Sequence, residues 1–295
     1  MTKITFSPSD FRRKVADAES LILRNRYFEK NPFLSEAQSS LLARPGMKRW
    51  LEVGDGPIRG IFSTPGAFDG DLFVASYDKV FRVGADKTIT EVQDGLFNPD
   101  TGFVNMAIAA RIAPEDPDLL FFCDGRNLFV YNGTTSTTIS TPDDVGVIDV
   151  AVSSSYVIVI PAQGEDINGR FYWINPGETT INPLNFATAE SAPDGIYGVK
   201  TVGDQFWLPG ESTVEVWYAT GDNSAPMSRM KGMVFDRGTW ENTAIALDQS
   251  MVVTDADGAV YLITGGSPQR ISTPDIEETI RRAIQRQQKL LYEEL

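Results

Sequence analysis

Residues 191–221 read SAPDGIYGVKTVGDQFWLPGESTVEVWYATG, three short apolar runs with a turn between each pair. Ile196 to Val202 is largely β-branched and apolar, and Gly203-Asp204 interrupts it. Gln205 to Leu208 forms a second run, Pro209-Gly210 turns the chain again, and Ser212 to Tyr218 sets Thr213, Glu215 and Tyr218 among apolar neighbours. Branched and aromatic side chains fit a pleated, half-buried strand, whereas Gly-Asp and Pro-Gly supply the backbone angles of tight turns. The stretch predicts strand, turn, strand, turn, strand, which is most of an antiparallel meander.

Working outward, the same unit recurs along the chain. Strand-turn-strand cores run from Asp71 to Gly84, Asp118 to Gly133, Ser155 to Pro176, Asp204 to Gly221 and Ser250 to Gly265. Aligning Phe73, Phe121, Ile158, Phe206 and Val252 gives separations of 48, 37, 48 and 46 residues. A four-stranded propeller blade takes about 40 to 50 residues. Ile58 to Phe62, Asn105 to Ala110, Ile148 to Val152, Ile196 to Val202 and Thr243 to Leu247 precede the cores and predict the inner strands. Small residues there, such as Ala107, Ala109, Ala151, Gly198 and Ala246, suit a crowded position. Ile89 to Val92, Thr137 to Ile139 and Gln269 to Ser272 predict short fourth strands. The pattern gives an all-β, β-propeller-like domain of five blades, with a sixth left unfinished.

The two ends read differently. Ser7-Pro8-Ser9-Asp10 offers a cap and a proline at the first helical position, and Phe11, Val15, Ala18 and Ile22 follow at helical spacing. An extended arm follows, turning at Pro45-Gly46. At the other end, Pro274 opens a predicted helix whose first turn carries Asp275, Glu277 and Glu278, with Arg281, Arg282, Arg286 and Lys289 beyond, an order that suits the helix dipole. Ile276, Ile280, Ala283, Ile284 and Leu291 are expected to form its apolar face. The domain reading is therefore residues 1–50 for helix and arm, 51–272 for the propeller-like domain and 273–295 for the terminal helix.

Composition excludes much chemistry. The chain has 26 Lys plus Arg against 40 Asp plus Glu, no histidine and one cysteine, for a net charge of −14. Proteins that grip a phosphate backbone cluster basic side chains, so DNA that meets this one is expected to slide past. Without histidine, Ser-His-Asp and Cys-His catalysis and the commonest metal ligand are gone. Cys123, between Phe122 and Asp124, reads as a small buried apolar residue. The N-terminus shows no apolar core of signal-peptide length, and no window approaches the ~18 apolar residues of a membrane span.

The remaining candidates each have a plainer reading. Asp255-Ala256-Asp257-Gly258 has the opening of a calcium loop but lacks its third acid and distal glutamate, so an Asp-Gly hairpin turn is expected, as at Asp124-Gly125. Asp143-Asp144 and Glu165-Asp166 are acid pairs of the kind glycoside cleavage needs, and read as solvated turn acids. Gly54-Asp55-Gly56-Pro57 and Gly265-Gly266-Ser267-Pro268 lead into proline, not into the helix start and lysine of a phosphate cradle. Trp50, Trp173, Trp207, Trp217 and Trp240 lie in or beside strands and are expected to pack between blades.

One resemblance spans most of the chain, roughly residues 25 to 285. It is carried by Asn25-x-Tyr27-x-Glu29 leading to Pro45-Gly46, then Phe186, Ala189-Glu190-Ser191, Pro193-Asp194-Gly195-Ile196, Gly210, Glu215-Val216-Trp217, Thr220-Gly221 and Pro226. Gly258-Ala259-Val260-Tyr261 through Ile276, Ile280 and Arg281 continues it. In order and spacing these resemble the packaged-DNA stabilisation proteins of short-tailed phages, which form the hub or nozzle of the tail. The resemblance implies a β-propeller-like subunit of a hexameric ring in the virion tail, assembled in the host cytoplasm. The ring would sit between the portal-bound head-to-tail adaptor and the tail fibre, tailspike or tail needle, continue the DNA channel, hold packaged DNA and let it out at ejection. It implies no catalytic, cofactor-binding or metal residues, no cofactor, and no membrane insertion. Members run well past the terminal helix, so a shortened form with open propeller edges is expected, to be covered by a neighbouring subunit or by a C-terminal part. Two other classes stay open. A carbohydrate-binding or glycoside-cleaving propeller would show a deep axial pocket with two facing carboxylates or exposed tryptophans, and a cellular scaffold propeller would be monomeric with closed blades.

Overall fold

A sheet whose strands are apolar on both faces is stable only when both faces are covered, and a short hairpin cannot cover them alone. The computed structural model shows how this chain meets that demand, and it describes residues 26–30, 39–100, 102–164, 167–189, 194–222 and 224–293. Leu51–Ile271 forms one compact unit; the described residues on either side of it belong to a second.

Within Leu51–Ile271 the strands make five four-stranded antiparallel sheets, each in simple up-and-down order. Blade one is β3 (Ile58–Phe62), β4 (Leu72–Ser76), β5 (Lys79–Val83) and β6 (Ile89–Gln93), and blade two is β7 (Asn105–Ala109), β8 (Leu119–Cys123), β9 (Leu128–Tyr131) and β10 (Ser136–Ile139). Blade three is β11 (Val147–Ser153), β12 (Tyr156–Pro161), β13 (Arg170–Ile174) and β14 (Phe186–Thr188). Blade four is β15 (Lys200–Val202), β16 (Gln205–Pro209), β17 (Val214–Ala219) and β18 (Met227–Phe235), and blade five is β19 (Ile245–Leu247), β20 (Ser250–Thr254), β21 (Val260–Ile263) and β22 (Gln269–Arg270). The first strands of successive blades, β3, β7, β11, β15 and β19, approach one another in chain order and form the inner rim. This is the propeller-like architecture expected from the repeat, with five blades among the described residues.

The core lies between blades. Phe73, Ala75 and Val80 of blade one meet Met106, Leu120, Phe122 and Tyr131 of blade two. Phe121, Cys123 and Val130, on the opposite face of blade two, meet Val150, Val157 and Tyr172 of blade three. Ile158, Phe171 and Trp173 then meet Val199, Phe206 and Trp217, and Trp207, Val214 and Val216 meet Met251, Val253 and Ile263. Each interior sheet thus sends alternate residues forward to the next blade and backward to the previous one. Aromatic pairs stitch the seams, with Phe171 edge-on to Phe206 at 5.6 Å and to Trp217 at 5.1 Å between ring centres.

Four of the five aligned residues, Phe73, Phe121, Ile158 and Val252, occupy the second strand of their blade on its forward face, but Phe206 points backward. The equivalent forward residue of blade four is Trp207. The alignment slipped by one because both neighbours are large and aromatic, and a one-residue slip changes the face. The sequence reading also placed the inner strand of blade four from Ile196, whereas the ladder starts at Lys200, with Ile196 making an isolated bridge to Gly210. Val199 gives its N–H to the Asp149 carboxylate at 2.9 Å, so the backbone is engaged across the seam there. Fourth strands β14 and β18 were not anticipated. Both are partly exposed, and β18 contains Arg229, Lys231 and a left-handed Gly232 where its register shifts against β17.

Outside the propeller unit, β1 (Arg26–Lys30) and β2 (Ser39–Ala43) pair antiparallel from Arg26↔Ala43 to Lys30↔Ser39. The expected extended arm is therefore a hairpin over these residues, while the helix expected from Ser7 to Ile22 lies outside the described residues. Helix α1 spans Pro274–Glu293. Its start is tied by the Glu277 N–H to the Thr273 carbonyl at 3.0 Å and by Ser272 Oγ, which donates to Glu277 Oε1 at 2.6 Å. Only part of the predicted stripe is buried: Ile284 is buried as expected, but Ile276 and Ala283 are exposed and Glu277, two turns before Ile284, is buried. The Ser272 hydroxyl gives the buried Glu277 carboxylate a hydrogen-bond partner, which an apolar-only pattern cannot register.

Phe121 has no exposed surface and fills the seam between blades two and three. Phe121→Ala is expected to cost about 3–5 kcal/mol, read as a lower urea midpoint at unchanged m-value.

Candidate functional site

Several polar groups lie on the inner rim, where they join neighbouring blades from one to four. In blade one, a bulge between Ile58 and Gly60 frees Arg59 from the regular register. Its buried guanidinium donates to the carbonyls of Gly102 (2.6 Å), Tyr77 (2.7 Å) and Phe97 (2.5 Å), and the Val104 N–H returns a bond to the Arg59 carbonyl at 3.1 Å. Burial draws the Arg59 pKa down, opposed by the nearby Asp124 and Asp78 carboxylates. Gly60 is required beside it, since a Cβ there would lie 2.2 Å from the Val104 carbonyl oxygen.

The next seams follow the same plan. Asn105 Nδ2 donates to the Ile148 carbonyl at 2.8 Å, joining β7 to β11. Asp149 is buried in β11 and accepts from Lys200 Nζ at 2.5 Å as well as from the Val199 and Val150 N–H groups at 2.9 Å. Thr201 Oγ1 donates to the Val152 carbonyl at 2.8 Å and Ser153 Oγ to the Asp204 carbonyl at 3.2 Å. Gly198 admits the carboxylate, because a Cβ there would stand 2.7 Å from Asp149 Oδ2. Buried charges of this kind hold geometry when every lone pair is used, and each is costly to orphan. None of Arg59, Asp149 and Lys200 was singled out in the sequence; the available signal was a charge inside an otherwise apolar predicted strand.

Of the residues singled out for chemistry, Asp255, Asp124 and Asp143-Asp144 sit in turns. Asp255 Oδ1 accepts from the Asp257 and Ala259 N–H groups at 3.0 and 2.8 Å, closing the hairpin between β20 and β21. Asp124 Oδ1 accepts from Arg126 and Asn127 N–H, while its Oδ2 reaches the Phe97 N–H at 2.8 Å and so pins the connection between blades one and two. Asp143 and Asp144 lie in the single turn Pro142–Asp144, with Asp144 exposed, and Glu165-Asp166 lies outside the described residues. Among the described residues no three His, Cys, Asp or Glu side chains gather as a metal site would require. Cys123 is fully buried, and burial pushes its thiol well above the ordinary range. Trp173, Trp207 and Trp217 pack between blades as expected, but Trp240 is only half-buried and Trp50, outside the propeller unit, is 56% exposed.

A groove of about 730 Å³ opens between the outer part of blade three and the start of β18, lined by Tyr156, Trp173, Asn185, Phe186, Pro226 and Met227 among others. Among the described residues no carboxylate lines it. Its amides are already engaged, Asn175 with Glu178 at 3.1 Å and Asn185 with Asn175 at 3.4 Å. Among the described residues no helix is long and apolar enough to cross a membrane.

Comparison with known proteins adds to this geometry. The family model described as Phage_stabilise, Bacteriophage P22 Gp10, beta-propeller, matches residues 10–293. The tail hub protein gp10 of Salmonella phage P22 is 29% identical over 174 residues, a match covering 51% of this chain and 35% of that protein. This chain therefore matches about a third of the length of that curated relative. Among solved structures, the Myceliophteria thermophila Cps50 (Swd1) β-propeller domain superposes with a TM-score of 0.52 at 10% identity, covering 79% of this chain and 78% of that one. The extracellular domain of BT4673 from B. thetaiotaomicron gives 0.50 at 13% identity, covering 85% of this chain and 35% of that one. At these identities the structural likeness shows the fold alone.

Two outcomes test the rim and the thiol. Asp149→Ala strands Lys200 and the Val199 N–H at the seam and is expected to cost about 2–4 kcal/mol, with Asp149→Asn, which keeps an acceptor, costing less, both read by denaturant unfolding. Native Cys123 should resist alkylation at about pH 8, since burial favours the neutral thiol, and should react once the chain is unfolded.

Proposed function

We propose a tail role from one premise: the chain belongs to the Phage_stabilise family, that of the Bacteriophage P22 Gp10 β-propeller. On this reading it is a structural component of the virion, a tail hub protein of a short-tailed phage that turns over no substrate. The observation that carries it is the extent of the family match, residues 10–293 of a 295-residue chain.

The finer reading is a hub or nozzle ring, built of six copies, that continues the DNA channel below the portal and its adaptor. It retains the packaged genome, releases it at ejection, and presents surfaces to the fibre, tailspike or needle. Two properties of the chain support a passive wall. Its net charge is −14, so duplex DNA meets repulsion where a basic lining would add drag at every phosphate. Its rim charges Arg59, Asp149 and Lys200 are committed to neighbouring strands, which leaves them to stiffen the subunit.

Electron cryo-microscopy of assembled particles should place this chain in a ring around the channel below the portal; its absence from the tail overturns the reading. Phage lacking it should package DNA and then lose it to added nuclease. In gel-shift assays at about 50 mM salt the purified chain should leave duplex DNA unshifted, whereas a salt-dependent shift would show a phosphate-gripping surface.

A further inference from the structure

The outer strand of blade four does not pair evenly with its neighbour. Between Glu215↔Val234 and Trp217↔Arg229, the residues Met230, Lys231, Gly232 and Met233 all stand against Val216 alone, so β18 leaves the ladder and returns to it. Gly232 takes a left-handed φ of 79°, and both Lys231 and Gly232 are exposed. A bulge bends its strand and re-aims the side chains it carries. The two methionines of this one pack against the seam between blades four and five, on the cluster that holds Trp207, Val216, Phe235, Met251 and Val253.

Each methionine has its own contact at the seam. Met230 Sδ accepts from Gln205 Nε2 at 3.7 Å, and Gln205 Oε1 accepts from Trp207 Nε1 at 3.3 Å, so hydrogen bonds link the core tryptophan to the bulge. Met233 reaches blade five, where a Cβ at Gly265 would stand 3.9 Å from its Cε. Both are half-buried, whereas Met106, Met227 and Met251 are buried. Solvent therefore meets the seam at two oxidisable side chains.

We propose that Met230 and Met233 are a modification site, at which hydrogen peroxide forms methionine sulfoxide and thereby loosens blade five from blade four. The sulfur lone pair forms the S–O bond as the peroxide O–O bond breaks, and the second oxygen leaves as water. A flexible apolar side chain becomes a polar, chiral one. The new oxygen is drawn to solvent, which lifts the bulge from Gly265 and from the Trp207 cluster. Reduction by methionine sulfoxide reductase reverses the change.

Graded exposure of the purified chain to hydrogen peroxide, with peptide mapping by mass spectrometry, is the test. Met47, 87% exposed and outside the propeller unit, should oxidise first and serves as the internal control. Met230 and Met233 should follow, roughly tenfold or more faster than Met106, Met227 and Met251. Their oxidation should lower the melting temperature by about 4 °C or more, and should speed amide exchange in β20 and β21 while β12 and β13 stay protected. Treatment with the reductase should restore the melt. Met230→Leu with Met233→Leu keeps the apolar volume, so this variant should melt like the natural chain and lose the response to peroxide although Met47 still oxidises. An unchanged melt after both methionines are oxidised overturns the proposal. An equal fall in the leucine variant, or oxidation of Met251 as fast as that of the pair, overturns it too. If the leucine variant folds poorly, the exchange pattern of the oxidised natural chain decides the question, and faster exchange spread evenly over all blades counts against the site.

Discussion

Apolar packing of the forward side of one sheet against the backward side of the next is the constraint on which the rest of this structure depends. No blade here has a core of its own. Phe121 and Phe122 are adjacent in sequence yet belong to different seams, one shared with blade three and one with blade one. Buried apolar area contributes on the order of 25 cal/mol per Å², so stability accumulates seam by seam as in other repeat architectures. Cys123, which follows Phe121 and Phe122 at the end of β8, belongs to this packing.

Polar contacts complete what apolar packing leaves loose. Hydrophobic seams tolerate small slides, whereas the three carbonyls held by Arg59 and the three donors gathered on Asp149, Lys200 among them, fix how neighbouring blades meet. The glycines at 60 and 198 are part of the same device, because each gives room to an oxygen that a side chain would displace. In the groove on the outer side the amides are engaged, Asn175 with Glu178 and Asn185 with Asn175.

Most of the fold was legible before the structure. The spacing of apolar runs and the Gly203-Asp204, Pro209-Gly210 and Asp257-Gly258 turns mark the strands because backbone angles and period-two burial are local properties. The inner strand Ile58–Phe62 matches the reading residue for residue, and in blade five both the inner and the last strand are shorter than read, at Ile245–Leu247 and Gln269–Arg270. The weak places were those where local preference is overridden. Met227–Phe235 is a strand despite Lys231 and Gly232 because it pairs along an exposed edge, and β15 is short because Asp149 takes the Val199 N–H.

The sequence by itself determined the all-β class, the blade repeat and the exclusion of histidine chemistry, since each follows from composition and from periodicities that need no partner. It could also show that Asp255 and Asp124 precede turns. Tertiary structure alone decided which face of each strand looks forward, as the one-residue difference between Phe206 and Trp207 shows, and which charges are buried together. Arg59 meets Gly102 and Asp149 meets Lys200 across 43 and 51 residues of chain. Contacts at such separations are set by how sheets stack, and stacking is a property of neighbouring blades that no single stretch of residues contains.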